Sequence, residues 1–132
     1  MPYNLSVTLD TTQNALDVDQ RNNANEVSRD PNPQTITWQL DGNAAAGTFN
    51  AMNAPNPGFA WVGTAPNADI FGTPTVVPGS KQITLSDLNN SSSTTGTWIY
   101  RLYATIGGQE YSTLTTLRRP TATTTDPCIK NN

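Results

Sequence analysis

Apolar and polar residues alternate along much of this chain, and wherever a period exists it is two. Tyr3, Leu5, Val7 and Leu9 alternate with polar neighbours, the signature of a strand with one buried face. Leu16 and Val18 follow the polar stretch 11–14, so residues 1–18 predict a hairpin. Residues 20–33 carry no periodic apolar set and predict a long polar loop. Ile36, Trp38 and Leu40 alternate again and stop at Asp41-Gly42, a turn pair. Short strands are predicted over 48–52 and 58–63, separated by the breaker cluster Pro55-Asn56-Pro57. Phe71 and residues 75–77 lie between prolines, which confine them to edge or irregular strands. Ile83 and Leu85 restore alternation over 81–88, and 89–96 (NNSSSTTG) reads as a mobile polar loop.

The most informative segment is 97–106, TWIYRLYATI. Trp98, Tyr100, Leu102, Ala104 and Ile106 share one face, while Ile99, Arg101, Tyr103 and Thr105 share the other. That uneven pattern predicts a central strand whose far face is partly covered. Gly107-Gly108 supplies two residues able to take positive φ, as a two-residue type I′ turn requires. In that register Ala104 faces Tyr111 and Tyr103 faces Ser112. After Leu117 the composition changes to RRPTATTTDPCIKNN, so a domain is expected over 1–117 and an extended Thr-rich tail over 118–132. Ile129 and the rigid Asp126-Pro127 step lead us to expect that 121–132 contacts the body or a neighbour. Seven or eight short strands with long polar connections predict an all-β, immunoglobulin-like β-sandwich. A jelly roll and a small β-barrel are the alternatives. The expected core is Trp38, Leu40, Ile83, Leu85, Trp98, Tyr100 and Leu102.

Three short motifs carry a resemblance. Gly96-Thr97-Trp98-Ile99-Tyr100, the Gly107-Gly108 turn leading to Glu110-Tyr111-Ser112, and Asp126-Pro127-Cys128-Ile129-Lys130-Asn131 together resemble the pattern of the DP-EP family of small bacterial proteins. The resemblance implies a compact all-β bacterial domain with no assigned activity, cofactor or catalytic residue. It transfers no functional residue to this chain. The spacer 113–125 before the Asp-Pro pair is longer than the pattern leads one to expect.

Composition narrows the class further. The length, 132 residues, suits one domain. Apolar residues make up 35% and charged residues 13%, with net charge −3; low apolar content without high charge favours a polar-faced β fold over disorder. Seven basic residues spread over the chain argue against nucleic acid, whose phosphates demand clustered Lys and Arg. No apolar run is long enough for a transmembrane helix, and the N-terminus lacks a basic region followed by an apolar core. The expected location is therefore cytoplasmic, or outside the cell by a route without a cleaved signal peptide. With no His, Ser-His-Asp and Cys-His nucleophile systems are excluded. A single cysteine, Cys128, excludes an internal disulfide and a thiolate cluster; its polar setting predicts a surface thiol. No enzyme and no cofactor is expected.

Three candidate sites remain. Asp17, Asp19 and Glu26 in DVDQRNNANE concentrate hard oxygen donors of the kind calcium takes, although Arg21 and Ser28 break the EF-hand template, and a turn region of Asx caps is the competing reading. Trp61, with Asn56 and Asn67 nearby in sequence, could stack on a sugar ring and bond its hydroxyls; core packing of Trp61 is the competing reading. A low-charge Thr/Asn surface with open sheet edges suits pairing with a protein partner or with another copy of the chain. The leading expectation is a protein-interaction or structural module, forming a homo-oligomer; the alternative is a small lectin that binds carbohydrate.

Overall fold

The computed structural model describes residues 3–113 and 127–132. It is a β-sandwich of two mixed sheets. The first sheet contains β1 (Tyr3–Asp10), β2 (Ala15–Val18), β4 (Gln34–Leu40), β7 (Thr75–Val76) and β8 (Gln82–Asp87), in the order β2-β1-β4-β8-β7. The second contains β3 (Glu26–Val27), β9 (Gly96–Ile106), β10 (Gln109–Ser112) and β11 (Cys128–Asn131), in the order β10-β9-β11-β3. On β9 it also carries β5 (Thr48–Phe49) and β6 (Phe59–Trp61). Two strand pairs are parallel, β1 with β4 and β11 with β3.

Alternation decides which face is buried. Leu5 and Val7 of β1, Ile36, Trp38 and Leu40 of β4, and Ile83 and Leu85 of β8 point into the sandwich. They meet Tyr100, Leu102 and Ala104 of β9 together with Phe49, Phe59 and Ile129. The expected core residues are all buried except Trp98, which is half-buried and packs against the core from the end of β9. Trp38 and Tyr100 meet at the centre, where Trp38 Nε1–H donates to the Tyr100 hydroxyl at 2.8 Å. The β9–β10 hairpin has the expected register, Ala104 opposite Tyr111 and Tyr103 opposite Ser112. Its turn places Gly107 at φ 59° and Gly108 at φ 81°.

β9 is the spine of the second sheet, and each of its edges is lined by two collinear pieces of chain. On one edge β5 pairs with Thr105 and Ala104, and β6 with Leu102 to Tyr100. On the other, β10 pairs with Ile106 to Tyr103, and β11 with Ile99 to Gly96. The chain leaves this second edge at Thr113, whose N–H donates to Leu102, and returns at Pro127, whose carbonyl accepts from Tyr100. Such divided edges explain why eleven strands occur among the described residues where seven or eight were expected; four of them are two or three residues long.

Two sequence expectations are corrected. The loop over 20–33 contains β3, whose Val27 is fully buried beside β11; a strand of two residues has no period to read. The polar segment 89–96 is tied into the structure, with Asn89 and Thr94 buried and hydrogen-bonded to each other at 2.9 Å. Asn89 Nδ2 also donates to the carbonyls of Val27 and Asn132. At the C-terminus the described part of 121–132 contacts the body as expected: Cys128–Asn131 is a strand of the sandwich, with Ile129 at 0% exposure in the core. The rest of the expected tail, 118–126, lies outside the described residues.

Candidate binding surfaces

An unbroken path of aromatic contacts leads from the core to the surface at Trp61. Phe59 stacks on Tyr100 with ring centroids 5.1 Å apart and tilts against Trp38 at 5.2 Å. Trp61 meets the Phe59 ring edge-on at 4.9 Å, Phe71 lies 5.0 Å beyond, and Phe71 meets Trp98 at 5.1 Å. β6 places Trp61 opposite Tyr100 and stops just before Gly63, whose φ of 77° favours glycine. The following loop is folded by an Asx turn, in which the Asn67 side-chain oxygen accepts from the Asp69 N–H at 2.8 Å. Ile70 and Phe71 then drop into the core, and Gly72 N–H donates to the Ser86 carbonyl.

The result is an open depression of about 340 Å3 lined by Trp61, Phe71, Pro66, Ala68, Gly72, Thr73 and Pro74. Trp61 is half-buried there, packed on one side and available on the other. None of the lining side chains is charged. Phe71 and the two prolines escaped the sequence reading because prolines on either side marked the segment as irregular strand; the sequence does not show that this irregularity seats an aromatic beside Trp61.

The two asparagines expected to assist Trp61 are used elsewhere. Asn56 Nδ2 donates to the Glu110 carboxylate at 2.7 Å, and Asn50 Nδ2 donates to the other carboxylate oxygen at 2.8 Å. Both amides thus clamp β10 to the loop between β5 and β6. Gly58 closes that loop so tightly that a Cβ would sit 2.5 Å from the Asn50 carbonyl oxygen. Asn67 remains near Trp61 in the chain, but its side-chain oxygen is occupied by the Asx turn.

A second concavity, of about 490 Å3, lies on the outer face of the first sheet. Its floor is Asn4 and Ser6 of β1, Thr37 and Gln39 of β4, and Gln82 of β8; the segment Asp19 to Ala24 forms one wall. Its polar groups pair with one another. Ser6 Oγ donates to Asp41, Gln82 Nε2 donates to Gln39 Oε1, and Arg21 grips Asp19 with two side-chain bonds of 2.9 and 2.7 Å. Those bonds hold the Asp19 carboxyl down at about 2.

The calcium candidates are scattered. Asp17 faces outward on β2 opposite Thr8; partial burial, then repulsion from Asp10 and Asp19, raises its pKa. Asp19 is taken by Arg21, and Glu26 on β3 accepts from Asn132 Nδ2 at 3.1 Å. Among the described residues no three acidic, His or Cys side chains converge as a ligand set. Cys128 is half-buried in β11 opposite Ile99, its Sγ 3.3 Å from Asn25 Nδ2. No helix among the described residues is long and apolar enough to cross a membrane. No protein-family model matches the chain, and no curated protein matches it.

Proposed function

We propose that the sandwich is a non-catalytic interaction module that grips an uncharged segment of a protein partner through the Trp61 depression. One observation carries this reading: a half-buried Trp is held rigid by Phe59 and Phe71 and presented in an uncharged depression walled by Pro66 and Pro74. Aromatic anchors of low conformational entropy in apolar pockets dominate binding energy at protein interfaces. A proline or aliphatic side chain of the partner fits the depression without leaving a charge unpaired. Membership of the DP-EP family, carried by the Trp98 strand, the Gly-Gly turn and the terminal Asp-Pro motif, is part of the same proposal.

The lectin reading rests on the same exposed Trp61 face, but the depression lacks the amide donors a sugar needs once Asn56 is bound to Glu110. A library of proline-containing peptides and a glycan array, each probed with wild-type protein, Trp61→Ala and the outer-face variant Thr37→Ala, separate the two. Peptide binding lost in Trp61→Ala and kept in Thr37→Ala supports the proposal. Glycan binding with that profile installs the lectin instead, and ligand binding indifferent to Trp61→Ala removes both.

A further inference from the structure

One pair of buried polar groups is left half-finished, where the C-terminal strand meets the end of β8. Asp87 closes β8 at 0% exposure, opposite Gln34 of β4. Asn131 of β11, at 3% exposure, donates from Nδ2 to Asp87 Oδ1 at 2.9 Å and to the Thr94 carbonyl at 2.9 Å. That fixes the amide orientation, because the reverse would aim Asn131 Oδ1 at two acceptors. Asp87 Oδ2 and Asn131 Oδ1 are then both buried, both acceptors, and both without a partner. An unpaired buried acceptor is costly, and a carboxylic acid in place of the carboxylate carries the one donor that such a pair of acceptors lacks.

We propose that Asp87 is a protonated acid that locks the C-terminal strand to the sandwich through a two-point pair with Asn131, its O–H donating to Oδ1 while Oδ1 of the acid accepts from Nδ2, and that the lock loosens when the acid ionises. Burial pushes the Asp87 carboxyl up to about 6, with the Asn131 bond pulling the other way. β4 and β7 present no charged side chain to it. The charged groups of the elements at this junction are Glu26 on β3, engaged by Asn132, Arg101 on β9 and exposed Lys130 on β11, with Arg29, Asp30 and Asp69 in the flanking loops. None of these enters the balance at Asp87, which is set by burial and by Asn131. What the lock holds is substantial: β11 covers the edge of β9 from Gly96 to Ile99, seats Ile129 in the core and pairs with β3.

The test is amide hydrogen exchange of residues 128–132, corrected for intrinsic rates, between pH 5 and 8 in wild type and Asp87→Asn. The asparagine keeps both bonds without titrating, its Nδ2 donating to Asn131 Oδ1. Wild-type protection is expected to fall on the order of tenfold between pH 5 and pH 8, while Asp87→Asn holds the higher protection throughout. Wild-type protection that is flat over this range, or an Asp87→Asn variant with the wild-type pH dependence, overturns the lock. If the variant does not fold, carbon NMR of the wild-type Asp87 carboxyl decides: a midpoint near 6 supports the acid–amide pair, and one near the ordinary aspartate value removes it.

Discussion

At the level of single residues, the centre of the sandwich shows how a polar atom is made safe inside an apolar core. Trp38 and Tyr100 are both fully buried, and each carries one polar group that the other completes. Their rings also meet edge-on at 5.1 Å, so shape and hydrogen bonding agree. Burial pushes the Tyr100 hydroxyl well above its ordinary value, which keeps it neutral. Tyr100→Phe removes almost no volume but strands the Trp38 N–H away from water. The expected loss is about 1 to 3 kcal/mol, read as a lower urea midpoint with an unchanged slope. Trp38 and Tyr100 were both legible as core residues because each lies on an alternating face. Their mutual bond was not, since nothing in either strand's sequence announces which inward residue stands across the sandwich.

Among the elements, β11 depends most on distant parts of the chain. It is flanked by β9 and β3, and Ile129 is its single apolar anchor at 0% exposure. Ile129→Ala should cost about 2 to 5 kcal/mol, the usual range for emptying a packed aliphatic site, and denaturation should show the loss; a cost below about half a kcal/mol would mean that β11 is not part of the core. The strands that alternation alone marks clearly, β1, β4, β8 and β9, are those long enough to display a period of two, whereas β2, β5, β6 and β10 were expected from short apolar stretches and turn signals. β3, β5 and β7 are two residues each; β3 and β5 owe their existence to partners far away in the chain, β3 to Asn131 and β5 to Ala104, while β7 rests on the neighbouring β8. The candidate site follows the same logic. Trp61 was legible as a residue, whereas the depression around it is made by Phe71 and two prolines whose placement is tertiary. Asn56 was misdirected because nearness in sequence to Trp61 concealed its bond to Glu110 across the sheet.

For the molecule as a whole, the two strongly shifted aspartates act on stability in opposite directions. Asp87 has its carboxyl raised to about 6 in the folded protein, so its contribution is complete below the unfolded aspartate value and is lost as pH rises through about 6. A shift of roughly two units corresponds to at most about 3 kcal/mol. Asp19 has its carboxyl lowered to about 2 by Arg21, so its contribution is present above the ordinary value of 3.8 and is lost as pH falls towards 2. This second contribution is small, because the Asp19 and Arg21 side chains are 37% and 85% exposed and solvent screens them. Together they place the stability maximum near about pH 4, below the usual range, with the loss from Asp87 running from there to about pH 6 and levelling off above it. Thermal unfolding followed from pH 3 to 8 should show it, and salt should separate the two contributions. In about 1 M salt, where the Debye length is about 3 Å, the acid limb should flatten as the surface pair is screened. The decline between about pH 4 and 6 should persist, because Asp87 acts through desolvation inside the sandwich, out of reach of mobile ions. A decline between about pH 4 and 6 that vanished in salt would place its origin on the surface and not at the junction of β8 and β11.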